Sequence, residues 1–396
     1  MGNNGVLTKM KKVVIRGPLI TQSGYGVHSR QVARWLVEQS KAKKIDLTCQ
    51  CLNWGSTQWK LNENADDGLI GEIMRHSKNV NHKIDVSFQI QLPNEWDTNL
   101  ASFNVGITAG VETDVCNPAW IDAINKMDVV VVPSEFTKKT FMTSGQITTP
   151  IKVIPESFID EISLEDIEDP FDFSTSFNFL IFGQLTSNNP EDDRKNIFNT
   201  VKIICENFKN DDDVGIVLKT NSGRGTKIDR LNIRRQFESL VGQVRNGPFP
   251  KINLLHGDLS PKEVAALYRN EKIKCLVSMT RGEGYGLPLL EAAASGLPII
   301  ATGWSGHTDF LKGDGYQKIK YDLRKISNSK VDNNIFVPGA KWAEPNHKSA
   351  LEALTKFRKY PSMYEKRAKS ASLKIKKDYC FESIKRLYNS AFGEIL

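Results

Sequence analysis

Nowhere does this chain approach the ~20 consecutive apolar residues that a membrane-spanning helix needs. Its first residues, "MGNNGVLTKMKK", hold no apolar segment of the kind that directs secretion. Val6 stands where a myristoylation signal has Ser or Thr. The expected location is the cytoplasm. Six cysteines (Cys49, Cys51, Cys116, Cys205, Cys275 and Cys380) include no Cys-x-x-Cys pair and none at ligand spacing from a histidine. Reduced thiols are therefore expected, not disulfides or zinc. There is no repeat of fixed period and no low-complexity tract, which excludes solenoids and fibrous arrays.

What is present is an ordinary globular composition over 396 residues. That length exceeds the ~250–300 residues at which one core stops growing, so two domains are expected. The formal net charge is +7, and the excess sits at the ends. Residues 1–48 hold nine Lys/Arg against two acids, and residues 340–396 hold thirteen against six. Such surfaces favour a polyanionic partner: nucleic acid, an anionic membrane or a phosphorylated substrate.

Short apolar runs alternate with amphipathic ones. "KVVIR" (12–16) reads as a strand, "SGYG" as a glycine turn, and "VHSRQVARWLVEQ" as a helix starting after Gly26. Further strands are "KIDVSFQI", "FNVGIT", "DVVVVPS" and "IKVIPES". An acidic, strand-poor stretch, 160–176, interrupts the alternation, which restarts at "FNFLIFG". "SPKEVAALYRN" opens with a Ser260/Glu263 capping box and Pro261 at the first helical position. Apolar strands alternating with helices predict an α/β fold with two doubly wound parallel sheets. The expected units are 1–160, 161–377 and a final helix, 378–396, crossing back to the first domain.

The densest signal is "RGEGYGLPLLEAAASGLPIIATGWSG" (281–306), in which seven residues separate Glu283 from Glu291. The first glutamate lies in a glycine loop after a strand, and the second lies on the apolar helix that follows. Ligands in open α/β sheets bind where strands end and helices begin, and free amides at a helix start favour phosphate. One carboxylate at the loop and one a turn deeper suit a molecule with hydroxyls at both ends and a diphosphate between them. A charge on so apolar a helix is costly unless it has a partner.

This segment resembles the glutamate-x7-glutamate signature of retaining GT-B glycosyltransferases of family 4, also called group 1. The resemblance extends from about residue 12 to the end, and is looser in the first half. It implies two Rossmann-like domains facing a cleft and a nucleotide diphosphate sugar, UDP- or GDP-linked, as donor. It implies Glu291 on the ribose hydroxyls and Glu283 on those of the transferred sugar. The amides of Tyr285, Gly286 and Leu287 would lie beside the phosphates or the sugar, with Gly284 in the same nucleotide-sugar-binding loop. The family places an Arg and a Lys on the diphosphate. Here Gln184 stands at the Arg position, Lys195 fits the Lys, and Arg194 is the candidate for the missing charge.

The loop containing Gly24, Tyr25 and Gly26 corresponds to the family's N-terminal glycine loop. His28, Glu112 and Thr113 are candidates for sugar or acceptor contact, since "AGVETD" lacks the histidine that many members carry there. The resemblance further implies front-face transfer with retention and requires no metal. The acids at 191–193 and 211–213 are read as exposed. For the acceptor the expectation leans to a hydroxymethylated base in DNA, flipped out of a duplex held by basic residues. Lys9, Lys11, Lys12, Arg16, Lys41, Lys43 and Lys44 are the candidates. A glycan or lipid-linked saccharide at a membrane surface is the alternative, and an epimerase or a silent nucleotide-sugar binder the more remote one.

Overall fold

The computed structural model describes residues 10–55, 57–79, 83–187, 189–221, 225–245 and 247–396. Val6 and Lys9 lie outside the described residues. The first sheet comprises β1 (Lys11–Gly17), β2 (Ile45–Cys51), β3 (Val86–Ile90), β4 (Phe103–Ile107), β5 (Val129–Val132) and β6 (Ile151–Val153). Its order is β2-β1-β3-β4-β5-β6, parallel throughout. Its helices are α1 (Gly24–Lys41), α2 (Leu69–His76), α3 (Pro118–Ile124) and α4 (Glu135–Ser144). Helix α1 starts three residues earlier than its apolar spacing suggested. The Ser23 hydroxyl accepts from the Gly26 amide at 2.9 Å, which draws the glycines into the first turn.

The second sheet comprises β7 (Phe177–Phe182), β8 (Val214–Thr220), β9 (Lys251–His256), β10 (Ile273–Ser278), β11 (Ile299–Thr302) and β12 (Gln317–Ile319). It is also parallel, in the order β12-β11-β10-β7-β8-β9. Helices α5 (Ile197–Asn207), α6 (Lys227–Val244), α7 (Pro261–Arg269) and α8 (Leu287–Ser295) connect its strands. A β13 (Tyr321–Lys325)–β14 (Lys341–Pro345) antiparallel hairpin follows. Then come α9 (His347–Lys359), α10 (Pro361–Tyr379) and α11 (Phe381–Phe392). These two facing doubly wound sheets are the GT-B arrangement.

The chain begins each sheet mid-sheet and later reverses direction. In the first sheet the reversal lies between β1 and β3, and in the second between β7 and β10. Loops leaving these strands diverge, so each domain opens a crevice at its strand ends. Helix α11 packs on the first domain, burying Phe381, Ile384, Tyr388 and Phe392 in its core. Trp35 stacks on Tyr388 with centroids 5.0 Å apart, and its indole donates to Asn389 at 2.8 Å. Burying side chains of this size is worth about 1.5–3 kcal/mol each, enough to fix the return crossing. Among the described residues no helix is long and apolar enough to cross a membrane.

Candidate active site

The crevices face one another across a cleft of 1270 Å³. Both glutamates of the sequence signature line it, as do Gly24, Tyr25, His28, Glu112, Arg194 and Lys195. The loop after β10 forms one wall. Gly286 caps α8 at φ +103°, a left-handed position that glycine adopts without strain. Glu283 is held from behind: its amide donates to the Ser305 hydroxyl at 2.8 Å, and its carbonyl accepts from the Gly306 amide at 2.9 Å.

Lys195 donates to both Glu283 carboxylate oxygens, at 2.7 and 2.6 Å. Arg194 lies 3.4 Å from the same carboxylate and 3.3 Å from Glu112, and donates to the Gly282 carbonyl at 2.6 Å. Burial alone would raise the Glu283 pKa, but the charges of Lys195 and Arg194 outweigh it and hold it at about 2. This is a largely buried ion-pair network at the point where the two domains meet.

The acids at 191–193 are not the exposed set that the sequence suggested. Asp192 and Asp193 are buried because they shape the turn that carries Arg194 and Lys195. Asp193 accepts from the Thr186 hydroxyl at 2.8 Å and from the Ile197 amide at 2.7 Å, capping α5. Arg281 is 1% exposed and clamps the same turn, donating to the carbonyls of Pro190 at 2.7 Å and Asp193 at 3.0 Å. Its other partner is Glu344, at 2.8 Å. Arg281→Met is expected to destabilise the fold by about 3–5 kcal/mol, because a buried partnership is broken from one side. Chemical denaturation measures it, and a loss below about 1 kcal/mol contradicts the clamp.

The other end of the cleft is carboxyl-rich. Glu291, on α8, accepts from the Tyr268 hydroxyl at 3.2 Å. Burial pushes it up to about 8, with Tyr268 opposing the shift and Glu161 adding to it. Glu156, just after β6, is also pushed up to about 8, by burial and by the Glu291 charge. The imidazole Nδ1 of His28 lies 3.9 Å from Glu156. Burial lowers the His28 pKa to about 4, so the ring is neutral near pH 7. His28 Nε2 and Glu156 Oε2 are both buried without a hydrogen-bond partner among the described residues. Glu156 escaped the sequence reading: "VIPES" looked like the end of a strand, and its partners are 128 and 135 positions away in the chain.

The two acidic ends act oppositely on stability. Glu283, depressed to about 2, adds stability above its ordinary value of 4.5, and this is lost as pH falls from 4.5 toward 2. Glu291 and Glu156, raised to about 8, stabilise fully below 4.5 and lose that contribution as pH rises through 8.

The remaining sequence candidates separate cleanly. Tyr25 stacks on Trp54 with centroids 4.2 Å apart, and its hydroxyl meets Thr108 at 2.8 Å, bracing the cleft floor. Gly24 has open space where a Cβ would stand, so its backbone is free to meet a ligand. Gly26 is different: a Cβ would lie 2.1 Å from the Thr21 carbonyl, a packing need. Gly284 lines the cleft, and its bare Cα is also a packing need, since a Cβ would lie 2.5 Å from the Ala109 carbonyl of the first domain. The Ser134 hydroxyl donates to the Gly284 carbonyl at 2.7 Å across the same junction. Thr113 is fully buried, donates to the Val115 carbonyl at 2.8 Å and is absent from the cleft lining. Gln184 does line the cleft, as do Tyr285 and Leu287.

Residues 251–319, which run from β9 to the end of β12, match the family model described as glycosyl transferases group 1. The matched segment includes the Glu283 loop and α8. A curated relative, MMP alpha-(1->4)-mannosyltransferase of Mycolicibacterium hassiacum, is 33% identical over 99 residues. That stretch covers 22% of this chain and 24% of the mannosyltransferase. Similar solved structures span nearly the whole chain. Sucrose-phosphate synthase from Thermosynechococcus elongatus has a TM-score of 0.64 at 12% identity, covering 97% of this chain and 100% of that one. A glycosyltransferase from Rickettsia africae also reaches 0.64 at 12% identity, covering 98% and 99%. Anabaena HepE in complex with UDP and glucose scores 0.60 at 11% identity, covering 97% and 100%. At such identities the likeness is one of fold.

Proposed function

We propose that this protein is a retaining glycosyltransferase that moves a sugar from a nucleotide diphosphate sugar to an acceptor hydroxyl. The observation that carries this is the ionised Lys195–Glu283–Arg194 network in the same cleft as the Glu291–Tyr268 pair. Glu291 receives the ribose hydroxyls, and Glu283 the hydroxyls of the transferred sugar. Lys195, Arg194 and the amides at the start of α8 stabilise the departing diphosphate, where negative charge develops. The acceptor oxygen bonds to the anomeric carbon as the bond from that carbon to the phosphate oxygen breaks. The hydroxyl proton passes to the departing phosphate on the same face, and configuration is retained.

A saccharide hydroxyl is the acceptor we favour. The name of the mannosyltransferase relative supports it, as does the placement of the basic residues. Of the described candidates, Lys41 lines the cleft, whereas Lys11, Lys12, Arg16, Lys43 and Lys44 do not. DNA stays as the second reading because of the charge excess at the chain ends and the exposed Lys366, Arg367, Lys369, Lys374 and Lys377 of α10. The test offers UDP- and GDP-sugars with crude glycans, glycolipid or hydroxymethylcytosine DNA in parallel, and reads nucleotide release and product mass. Release only when an acceptor is present, with the donor's anomeric configuration kept, is the expected result. Release without acceptor indicates an epimerase or hydrolase, and a melting shift without turnover a silent binder. Either result refutes the proposal.

A further inference from the structure

The glycosyltransferase match ends at residue 319, and the β13–β14 hairpin begins at Tyr321. Its connecting loop, 326–340, projects out of the second domain and is stitched to both walls of the cleft. On one side the Ser327 and Ser329 hydroxyls donate to Asp192. On the other, the Asn117 side chain donates to the carbonyls of Asn333 at 3.0 Å and Asn334 at 2.9 Å. Phe336 and Ala340 join the first domain's apolar cluster around Trp120. The tip is rigid by construction: one Asp332 carboxylate oxygen accepts from the amides of Asn334, Ile335 and Phe336, at 2.9, 2.7 and 2.9 Å.

Lys330, Ile335 and Phe336 face the cleft from this loop. The Lys330 ammonium lies 4.8 Å from the Phe336 ring centroid. No carboxylate among the described residues comes within the 4.0 Å of an ion pair with it. Three carboxylates nevertheless act on it electrostatically, and each is already committed. Asp192 serves Ser327 and Ser329, Asp332 serves three backbone amides, and Glu112 serves Arg194. A solvated surface lysine would stretch away from such a site into water. This one is half-buried over an aromatic face at the end of the cleft where Arg194 and Glu112 meet.

We propose that Lys330 binds an anionic substituent, a phosphate or a carboxylate, carried by the acceptor or by the transferred sugar. The loop that holds it is a specificity element added to the glycosyltransferase domain. This rests on the functional reading above only for the identity of the molecule that bears the anion. Burial and the nearby Arg194 charge lower the ammonium's pKa. An arriving anion therefore meets a cation whose need for a partner is unmet within the protein.

The test uses isothermal titration of the full chain, its Lys330→Gln and Lys330→Arg variants, and Lys325→Gln as an exposed charge control. Inorganic phosphate is titrated with and without saturating UDP or GDP, which places the anion beside the nucleotide, in the acceptor position. UDP-glucuronic acid is compared with UDP-glucose, which places it on the donor sugar. In at least one arm the anion is expected to bind about tenfold more weakly to Lys330→Gln, with Lys330→Arg and Lys325→Gln within about threefold of the parent. The proposal is overturned if Lys330→Gln changes neither arm, or if Lys325→Gln matches its loss. Failure of every nucleotide to bind the parent protein refutes the functional reading instead, and the phosphate arm without nucleotide still decides the role of Lys330.

Discussion

Lys195→Ala is expected to lower kcat about 10³-fold, with a much smaller change in the donor KM. The reasoning follows from where its charge acts. In the free protein the ammonium is spent on Glu283, with both contacts under 2.8 Å. When a nucleotide diphosphate leaves, negative charge grows on the phosphate oxygens, and an ammonium already fixed in the cleft stabilises that charge without reorganising. Removing one such donor typically costs about 10²–10³ in rate. The variant also leaves the Glu283 carboxylate with Arg194 at 3.4 Å as its remaining cation, so some stability is lost as well. Lys195→Arg separates the effects: it restores the fold but not the point-charge geometry. Steady-state kinetics and a melting curve on the same samples provide the check. An unchanged kcat in Lys195→Ala contradicts the assignment.

Glu291→Gln carries the second large effect, and it acts on binding. A carboxylate accepts from two ribose hydroxyls at once, whereas an amide offers one acceptor and one donor. Charged hydrogen bonds are worth about 1.5–3 kcal/mol, so UDP or GDP is expected to bind about 10–150-fold more weakly. The pKa of about 8 adds a signature that a merely structural residue would not give. At pH 7 the free carboxyl is mostly protonated, and binding as the carboxylate releases close to one proton. Nucleotide affinity should therefore rise with pH up to about 8 and level off above it. Titration calorimetry in two buffers of different ionisation enthalpy measures the release directly. Glu291→Gln should abolish it, and proton release that persists in the variant contradicts the role.

Much of this was legible in the sequence because the information was local. The Glu283–Glu291 spacing, the glycine that caps α8 and the Ser260/Glu263 capping box of α7 are all set within a dozen residues. The strand–helix alternation likewise announces two parallel sheets. What escaped is what the chain assembles from afar. Glu156 joins His28 and Glu291 only once both domains have folded. The bare Cα of Gly284 is also required by Ala109, 175 positions earlier, a packing need that no local pattern shows. Thr113 was a candidate by position, but its hydroxyl is consumed by a turn. Asp192 and Asp193 read as solvated acids because nothing nearby in the sequence shows Ser327 and Ser329 bonding Asp192 or Arg281 clamping the turn. The β13–β14 hairpin has polar, weakly periodic strands, so it gave no clear signal before the structure.

A structure of the protein with UDP or GDP bound tests the central claim most directly. The account predicts the ribose hydroxyls within hydrogen-bond distance of the Glu291 carboxylate and the β-phosphate within reach of the Lys195 ammonium. A nucleotide seated elsewhere, with the Lys195–Glu283 and Tyr268–Glu291 contacts undisturbed and facing only solvent, would contradict it.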